Sequence, residues 1–321
     1  MTEDAATASE NHAEELFSAQ AVATAKALAN SFLRNLDTDD MKAEKYPRKL
    51  YHYTNMVGFK SIIETKTFWA TDARYLNDSQ ELRYGERIIH EQLAAAIDRH
   101  DDPGIKSLLE NTQRSYSKLE FGISIYSLSF SECEDDLSQW RGYGSGVGGI
   151  ALQMDMRPFA CEHCGGSMMK VIYDRDHQDN LINSIIDNII ILYGRLKVHC
   201  SELLASVECS IAFRIAVFPL ILKFKSSYFS AEKEWRLIVV NYSREPIKNL
   251  EHRLSSGMLV PYLALPLKFK KYYQDGQLSI EDVMIGPSLN SDAIRLSVSE
   301  FMDHHGYMLM DGPTVSKVSL R

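Results

Sequence analysis

Apolar residues recur along the chain with two different spacings, which separate predicted helices from predicted strands. An apolar residue at every third or fourth position is typical of an amphipathic helix, whereas alternation or a short apolar run is typical of a strand. Helical spacing is found in the segments 15–36, 78–100, 104–118 and 178–218. The last of these predicts two helices that join near Gly194. The first lies ahead of a charged linker and predicts an N-terminal helix outside the core.

Strand patterns lie between the predicted helices, in KLYHYT, TFWAT, FGISIYSLSFS and GGIALQMD. The fourth segment is the predicted hairpin or sheet partner of the third. The long polar loop between those two contains five glycines, and a loop of this length is more often functional than structural. These patterns predict an α+β fold of central mixed or antiparallel sheets with peripheral helices. Residues 1–48 form the helix and linker, and residues 49–321 form a single core with a helical insertion at about 178–218.

Charge and composition restrict the location and the partners of the protein. The net charge is -8, so the chain has no general attraction to nucleic acid, and only a local basic patch could bind it. The five cysteines are too few and too scattered for a disulfide framework. No signal peptide is visible, and the most apolar stretch, 181–192, is too short and too polar to span a bilayer. We expect a cytoplasmic protein without a membrane partner, and the oligomeric state, a homodimer included, stays open.

Histidine and aromatic residues cluster in the first two predicted strands. His52 lies in Tyr51-His52-Tyr53-Thr54, where it could bind a sugar hydroxyl or exchange a proton near neutral pH. A half-buried histidine that is satisfied by a backbone carbonyl is the alternative. Trp69, Tyr75 and Asn77 follow. Adjacent aromatic rings can form a wall on which a planar ring stacks, although such residues are more often core, and Asn77 is more often a turn residue.

A hydroxyl-rich strand and an arginine-containing loop come next. Alternation places Ser127, Ser129 and Ser131 on one face, which could touch a polar ligand or could face solvent. Arg141, in Gln139-Trp140-Arg141-Gly142-Tyr143-Gly144, could bind phosphate as a planar fork. The neighbouring glycines would let backbone amides approach the same anion.

Carboxylates precede the last strongly apolar strand, in Glu232-Lys233-Glu234-Trp235-Arg236. If this segment is extended, Glu232, Glu234 and Arg236 share a face. Two carboxylates on one face suit the activation of a substrate or the stabilisation of a cationic transition state. The alternative is a solvated charged edge.

Two further patterns are open to more than one interpretation. Cys161 and Cys164 form a single Cys-x-x-Cys, whereas a structural zinc site needs four ligands, so free thiols are favoured and no metal is expected. Lys268, Lys270 and Lys271 precede two tyrosines and form the best local basic and aromatic patch. Such a run can contact RNA or DNA, but a solvated strand edge is more common.

Five short motifs in order give the chain a resemblance to a known family. They are LYHYT, FWAT with YLND, SLSFSE with QWRGYG, EKEWR and MIGP. Together they resemble a bacterial family of unknown function, DUF2971, over about residues 49–321. The family name implies no activity.

A looser likeness implies an activity. A histidine on the first strand, a serine-rich strand and a later Glu-x-Glu are similar to the ADP-ribosyltransferase fold, whose members split NAD between two sheets. By that likeness His52 holds a ribose hydroxyl, Ser129 braces the site and Glu234 stabilises the oxocarbenium-like ribose. Glu232 orients or deprotonates the acceptor.

The same likeness extends to the cofactor-binding residues. Tyr53, Asn77 and Arg141 complete the predicted NAD contacts, and Trp69 or Tyr75 stacks on the nicotinamide.

The resulting hypothesis is an enzyme that transfers ADP-ribose from NAD, without a metal, to a protein or nucleic-acid acceptor, as a toxin or phage-defence factor. Two alternatives stay open. One is a regulatory module that binds a nucleotide or nucleic acid without turnover. The other is an RNA-processing hydrolase that uses His52 and the acidic cluster.

Overall fold

Two compact units make up the structure, a computed structural model. Within the chain, the residues described are 23, 47–76, 79–116, 124–144, 149–156, 166–198, 200–241, 247, 249–255, 257–266, 279–307, 309 and 311–318. The first unit comprises Met1–Asp39, Gln80–Gly122 and Ile172–Ser226. The second comprises Asp40–Ser79, Ile123–Val171 and Ser227–Arg321. Apart from residue 23, which is helical, the predicted N-terminal helix at 15–36 lies outside the described residues, so the predicted boundary at residue 48 stays a prediction.

Helices and strands follow one another along the chain in an α+β order. In sequence they are β1 (Lys49–Thr54), α1 (Met56–Thr65), β2 (Phe68–Asp72), α2 (Ser79–Arg99), α3 (Pro103–Tyr116), β3 (Ser124–Ser131), α4 (Leu137–Tyr143), β4 (Ile150–Asp155), β5 (Ser167–Lys170), α5 (Arg175–Leu196), α6 (Glu202–Ile221), β6 (Glu234–Asn241), β7 (Leu250–Ser255), β8 (Met258–Leu265), β9 (Ile280–Ile285), α7 (Ser291–His304) and β10 (Thr314–Val315).

The first unit is built from α2, α3, α5 and α6. Their apolar stripes meet in one core, in which Leu93, Leu109, Ile186 and Phe213 are almost completely buried. The predicted helices at 78–100 and 104–118 are confirmed. The two helices predicted at 178–218 are also present, and their junction lies between Leu196 and Glu202, just after the predicted Gly194. Of the described helices, none is both long and apolar enough to cross a membrane.

The second unit contains one mixed sheet. Its strands follow the order β10-β9-β4-β1-β3-β2-β8-β7, and β6 pairs with β3 and β5. The pairs are antiparallel except for β9 and β10, which run parallel. The predicted α+β class is therefore confirmed in its coarse form. The predicted pairing of β4 with β3 is wrong, because β4 lies between β1 and β9. The hairpin of β7 and β8 was not predicted, and Lys268, Lys270 and Lys271 lie outside the described residues.

Two strands, β1 and β2, pair with the same edge of β3. Along its other edge β6 pairs with it from Ser124 to Ser131. On the shared edge β1 pairs at Tyr51↔Ser131, and β2 pairs at Thr71↔Ser127 and Asp72↔Tyr126. Among these described strands, Ser129 therefore has no ladder partner on the shared edge. A gap opens there between β1 and β3.

The two faces of the sheet differ in polarity. One face is apolar, with Leu128, Phe130 and Leu237 in a core to which α1 and α7 contribute Phe59 and Met302. The opposite face carries the hydroxyls of β3 and the charged residues of β6. Register places Ser129 across from Arg236 and Ser131 across from Glu234. The predicted shared face of Ser127, Ser129 and Ser131 follows from this register.

The polar segment between β3 and β4 contains a helix where the sequence predicted a loop. Asp136 caps α4 by accepting hydrogen bonds from the backbone amides of Ser138 and Gln139. Trp140 is buried in this helix, and its indole Nε1 donates to Asp135 Oδ1 at 2.7 Å. Arg141 and Gly142 are therefore helical and exposed. The prediction that these glycine amides approach an anion as a loop is wrong.

Substitution of Gly286 tests the packing of this helix. A Cβ on Gly286 would lie 2.7 Å from the Trp140 ring, whereas a Cβ on Gly142 would have no atom within 4 Å. We expect Gly286→Ala to lower the free energy of unfolding by about 1–3 kcal/mol through overpacking. The control Gly142→Ala should raise it by up to about 1 kcal/mol, because alanine favours a helix. Denaturant unfolding of both variants measures this, and equal stabilities would contradict the described contact.

Candidate functional site

A small cleft lies at the gap between β1 and β3, and its empty space of about 300 Å³ includes open solvent. Strands β1 and β3, helix α4 and the start of β6 all contribute to its wall. Its lining residues are Tyr51, His52, Tyr53, Ser129, Phe130, Gln139, Tyr143, Glu232 and Glu234. Five of the predicted site residues are therefore in one place, namely His52, Tyr53, Ser129, Glu232 and Glu234. We call this the β1–β3 cleft.

His52 spans the gap through its imidazole. Nδ1 lies 2.9 Å from the backbone oxygen of Ser129, and because a carbonyl only accepts, Nδ1 carries the proton. The ring meets Phe68 and Phe130 edge-on, on the apolar face of the sheet. Burial lowers the pKa of His52 to about 4, although the Ser129 carbonyl acts in the opposite direction. At neutral pH the imidazole is therefore uncharged. Its Nδ1 is satisfied by a backbone carbonyl, as one prediction had it, and its Nε2 can still bind a ligand hydroxyl, as the other had it.

Unpaired polar groups line the cleft. Within the described part of the chain, Nε2 of His52 has no hydrogen-bond partner, nor do Ser129 Oγ and the Gln139 side-chain amide. Neutral Nε2 accepts, a hydroxyl donates and accepts, and an amide does both. The cleft therefore offers complementary groups to a ligand that carries several hydroxyls.

The two tyrosines of β1, Tyr51 and Tyr53, mainly fix neighbouring segments of the cleft through their hydroxyl groups. Tyr53 Oη lies 2.8 Å from the backbone oxygens of both Cys133 and Glu134 and fixes the segment that leads into α4. Tyr51 Oη donates to Gln153 Oε1 at 3.2 Å. Burial, together with the charge of Glu134, raises the pKa of Tyr51 to about 12. Both phenols are protonated at neutral pH, and Tyr53 contributes its ring rather than a free hydroxyl.

Glu234 and Arg236 form a buried bidentate ion pair at the start of β6. Arg236 Nε donates to Glu234 Oε1 at 2.7 Å, and Nη2 donates to Oε2 at 2.8 Å. The two residues are only 4% and 2% exposed. A charge that is buried this deeply is unfavourable without a partner, and the two parallel hydrogen bonds from the guanidinium compensate it. The same pairing cancels part of its field towards the cleft.

Glu232 enters the cleft from a different element. It ends a 3₁₀ turn, Ser227–Glu232, and its backbone oxygen accepts from Ser131 Oγ at 2.7 Å. Lys233 follows with a φ of 44°, which breaks the extended conformation before Glu234. The expectation that Glu232, Glu234 and Arg236 share one strand face is therefore wrong for Glu232. The two carboxylates line the same cleft because of the turn and not because of strand alternation.

Other predicted residues lie away from the cleft lining. Trp69 packs on Tyr262, with ring centroids 4.8 Å apart. Tyr75 ends a 3₁₀ turn after β2, and Arg74 lies over its ring. Arg141 is exposed on α4, and Asn77 is outside the described residues. The described structure gives none of them a place in the β1–β3 cleft.

Sequence reasoning did not assign Tyr51, Phe130, Gln139 and Tyr143 to the site. Phe130 alternates with the serines of β3 and belongs to the apolar core. Gln139 and Tyr143 are four residues apart, which places them on one face of a helix. The Asp136 cap would have revealed that helix, and with it this face.

Metal binding has no candidate in the described part of the chain. No cluster of three or more His, Cys, Asp or Glu residues is placed there to hold a metal ion. Cys161 and Cys164 fall in a segment that is not described.

Comparison with known proteins gives one match. Residues 139–237 match the family described as "Protein of unknown function (DUF2971)". This range includes Gln139, Tyr143, Glu232 and Glu234 of the cleft, and it supports the DUF2971 likeness for this part of the chain. No curated protein and no solved structure matches. The ADP-ribosyltransferase likeness stays a prediction.

His52 makes the stability of the fold depend on pH. Its pKa is about 4 when folded and 6.5 in the unfolded chain, so between these values the unfolded state binds more protons. Stability from His52 is therefore complete above pH 6.5 and is lost as the pH falls towards 4. We expect His52→Gln to reduce the loss of unfolding free energy between pH 7 and pH 4.5 by up to about 3 kcal/mol. Denaturant unfolding at both pH values tests this, and an identical pH dependence in both proteins would refute it.

The ion pair predicts a non-additive mutant cycle. Arg236→Gln leaves Glu234 as a buried charge without its guanidinium, and should lower the free energy of unfolding by about 3–5 kcal/mol. The double variant Glu234→Gln/Arg236→Gln should lose clearly less than the sum of the two single variants. Chemical denaturation of all four proteins measures the coupling. Additive losses would show that the pair does not act as one unit.

Proposed function

We propose that the β1–β3 cleft binds the nicotinamide and its ribose in NAD, and that the protein transfers ADP-ribose to a protein or nucleic-acid acceptor. The observation that carries this proposal is the meeting of His52, Ser129 and Glu234, from three separate strands, around one cleft. The choice of NAD comes from the sequence likeness.

Each group has a role that its local chemistry supports. Neutral His52 accepts a hydrogen bond from a ribose hydroxyl through Nε2, and Ser129 Oγ binds a second hydroxyl. The predicted stacking of the nicotinamide on Trp69 or Tyr75 is not carried over, because neither residue lines the cleft.

The carboxylates act on the bond that breaks. The bond between the nicotinamide nitrogen and the ribose cleaves, the electron pair leaves with neutral nicotinamide, and positive charge develops on the ribose. Glu234, held in its ion pair with Arg236, stabilises that charge. The acceptor's oxygen or nitrogen then bonds to the same carbon and loses its proton to Glu232.

Nicotinamide release tests this function. Wild-type protein should release nicotinamide from NAD in the presence of protein or nucleic-acid acceptors. We expect Glu234→Gln to lower the rate about 100-fold or more, because it removes a charge that acts mainly in the transition state. Glu300→Gln, an exposed change of the same type on α7, should leave the rate unchanged. Chromatographic detection of nicotinamide measures all three proteins.

Two controls separate chemistry from folding in this assay. Ser129→Ala removes a cleft hydroxyl without touching the ion pair, and should raise the KM for NAD. The melting temperature of each variant shows whether a lost rate reflects unfolding. Equal release by wild type and a folded Glu234→Gln variant would contradict the assigned chemistry.

The bidentate ion pair also favours a second function, the binding of a nucleotide without turnover. Both carboxylate oxygens of Glu234 already accept from Arg236, as in a structural pair. In that case wild-type protein binds NAD in calorimetry but releases no nicotinamide. Glu234→Gln/Arg236→Gln would then bind with unchanged affinity.

A further inference from the structure

A second polar cluster lies on the same sheet, around Arg253 of β7. Arg253 Nη2 donates to Thr71 Oγ1 at 3.0 Å, and its guanidinium carbon is 5.5 Å from the centroid of the Trp69 ring. Tyr262 packs against Trp69 and donates to Glu251 Oε2 at 2.8 Å. Register places these residues on one face of the sheet, because Thr71 is opposite Tyr262 and Tyr262 is opposite Glu251.

The charge of Arg253 is uncompensated within the described part of the chain. There, no carboxylate lies within ion-pair distance of it, and its Nε is buried without a hydrogen-bond partner. Arg74, also near the end of β2, instead has a bidentate pair with Asp72. A guanidinium that is partly removed from water and lacks a counter-ion is unfavourable unless a ligand supplies the negative charge. Burial accordingly lowers the pKa of Arg253.

An unsatisfied hydroxyl lies on the strand next to Thr71, the residue that Arg253 contacts. Ser127 is 3% exposed, and its Oγ has no hydrogen-bond partner among the described residues. It is directly across the strand pair from Thr71, which Arg253 contacts. Ser127 is also two residues from Ser129 on the same face of β3. Neighbouring positions on one sheet face are separated by roughly 7 Å along a strand and 5 Å between strands. The cluster is therefore adjacent to the β1–β3 cleft.

We propose that Arg253, Thr71 and Ser127 form a phosphate-binding subsite for the ligand of the β1–β3 cleft. A guanidinium presents two parallel donors to phosphate oxygens, and its stacking on Trp69 holds that fork in place before the ligand arrives. The inference rests on the proposed function, in which the ligand is NAD and the subsite holds its pyrophosphate. It replaces exposed Arg141 as the phosphate-binding arginine.

Calorimetry with three probes tests the subsite. ADP and inorganic pyrophosphate report on phosphate binding, and nicotinamide riboside reports on the cleft alone. We expect Arg253→Gln to weaken ADP and pyrophosphate binding about tenfold or more and to leave nicotinamide riboside binding unchanged. Arg114→Gln, which removes the same charge from an exposed position on α3, should change none of the three affinities. Arg253→Lys should restore part of the lost affinity, because it keeps the charge but not the fork.

The melting temperature of each variant shows whether a change in affinity reflects binding or unfolding. Removing an unpaired, partly buried charge should leave the melting temperature of ligand-free Arg253→Gln unchanged or raised, so a lost affinity is not a loss of fold. Thr71→Val, which removes only the hydroxyl, should weaken ADP binding severalfold. ADP and pyrophosphate binding that is equal in wild type, Arg253→Gln and Thr71→Val would overturn the subsite, as would a wild type that binds neither.

The two proposals fail in different ways. If ADP binding depends on Arg253 but no nicotinamide is released from NAD, the subsite stands and the transferase proposal is contradicted. If nicotinamide release continues in Arg253→Gln with an unchanged KM for NAD, the transferase proposal stands and the subsite is overturned.

Discussion

Strand β3 can offer only two edges, and β6 occupies one of them along its whole length. Both β1 and β2 must share the other edge, and they take opposite ends of it. The backbone oxygen of Ser129 falls between them, and the His52 imidazole satisfies it instead of a strand. This divided edge opens the β1–β3 cleft. It also explains how His52, which leaves β1 towards the apolar face, can line the same space as Ser129 and Glu234, which belong to the polar face.

Buried polarity is the second characteristic of this sheet. The polar face has the Glu234–Arg236 pair and Ser127 at buried positions, and Arg253 at a partly buried one. Burying such groups costs stability, and a fully apolar face of similar volume would often be at least as stable. Under the two proposals these groups would bind one ligand. The paired charge in the cleft would act on its sugar, and the unpaired charge of Arg253 would bind its phosphates.

Local patterns predicted much of the fold, because strands β1, β2 and β3 and the helices of the first unit follow simple apolar spacing. They could not predict pairing, since β4 was assigned to β3 but pairs with β1, and register depends on distant residues. The convergence of His52, Ser129 and Glu234 was predicted only through a likeness, not from spacing. Gln139 was missed because the glycines obscured a helix. Arg253 was missed because it is notable only for having no carboxylate partner among the described residues. A sequence does not show which charged residues lie close together.

The central claim is that a sugar-bearing ligand enters the divided edge of β3. NMR of selectively labelled protein during a titration with NAD tests it directly. The account predicts that saturating NAD shifts the His52 Nε2 resonance and the Ser129 amide, while the amides of exposed helix α7 do not move. The Nδ1 resonance should change little, because Nδ1 keeps its proton and goes on donating it to the Ser129 carbonyl. Unchanged His52 and Ser129 signals at a concentration where NAD is bound, or shifts confined to another surface, would contradict the account.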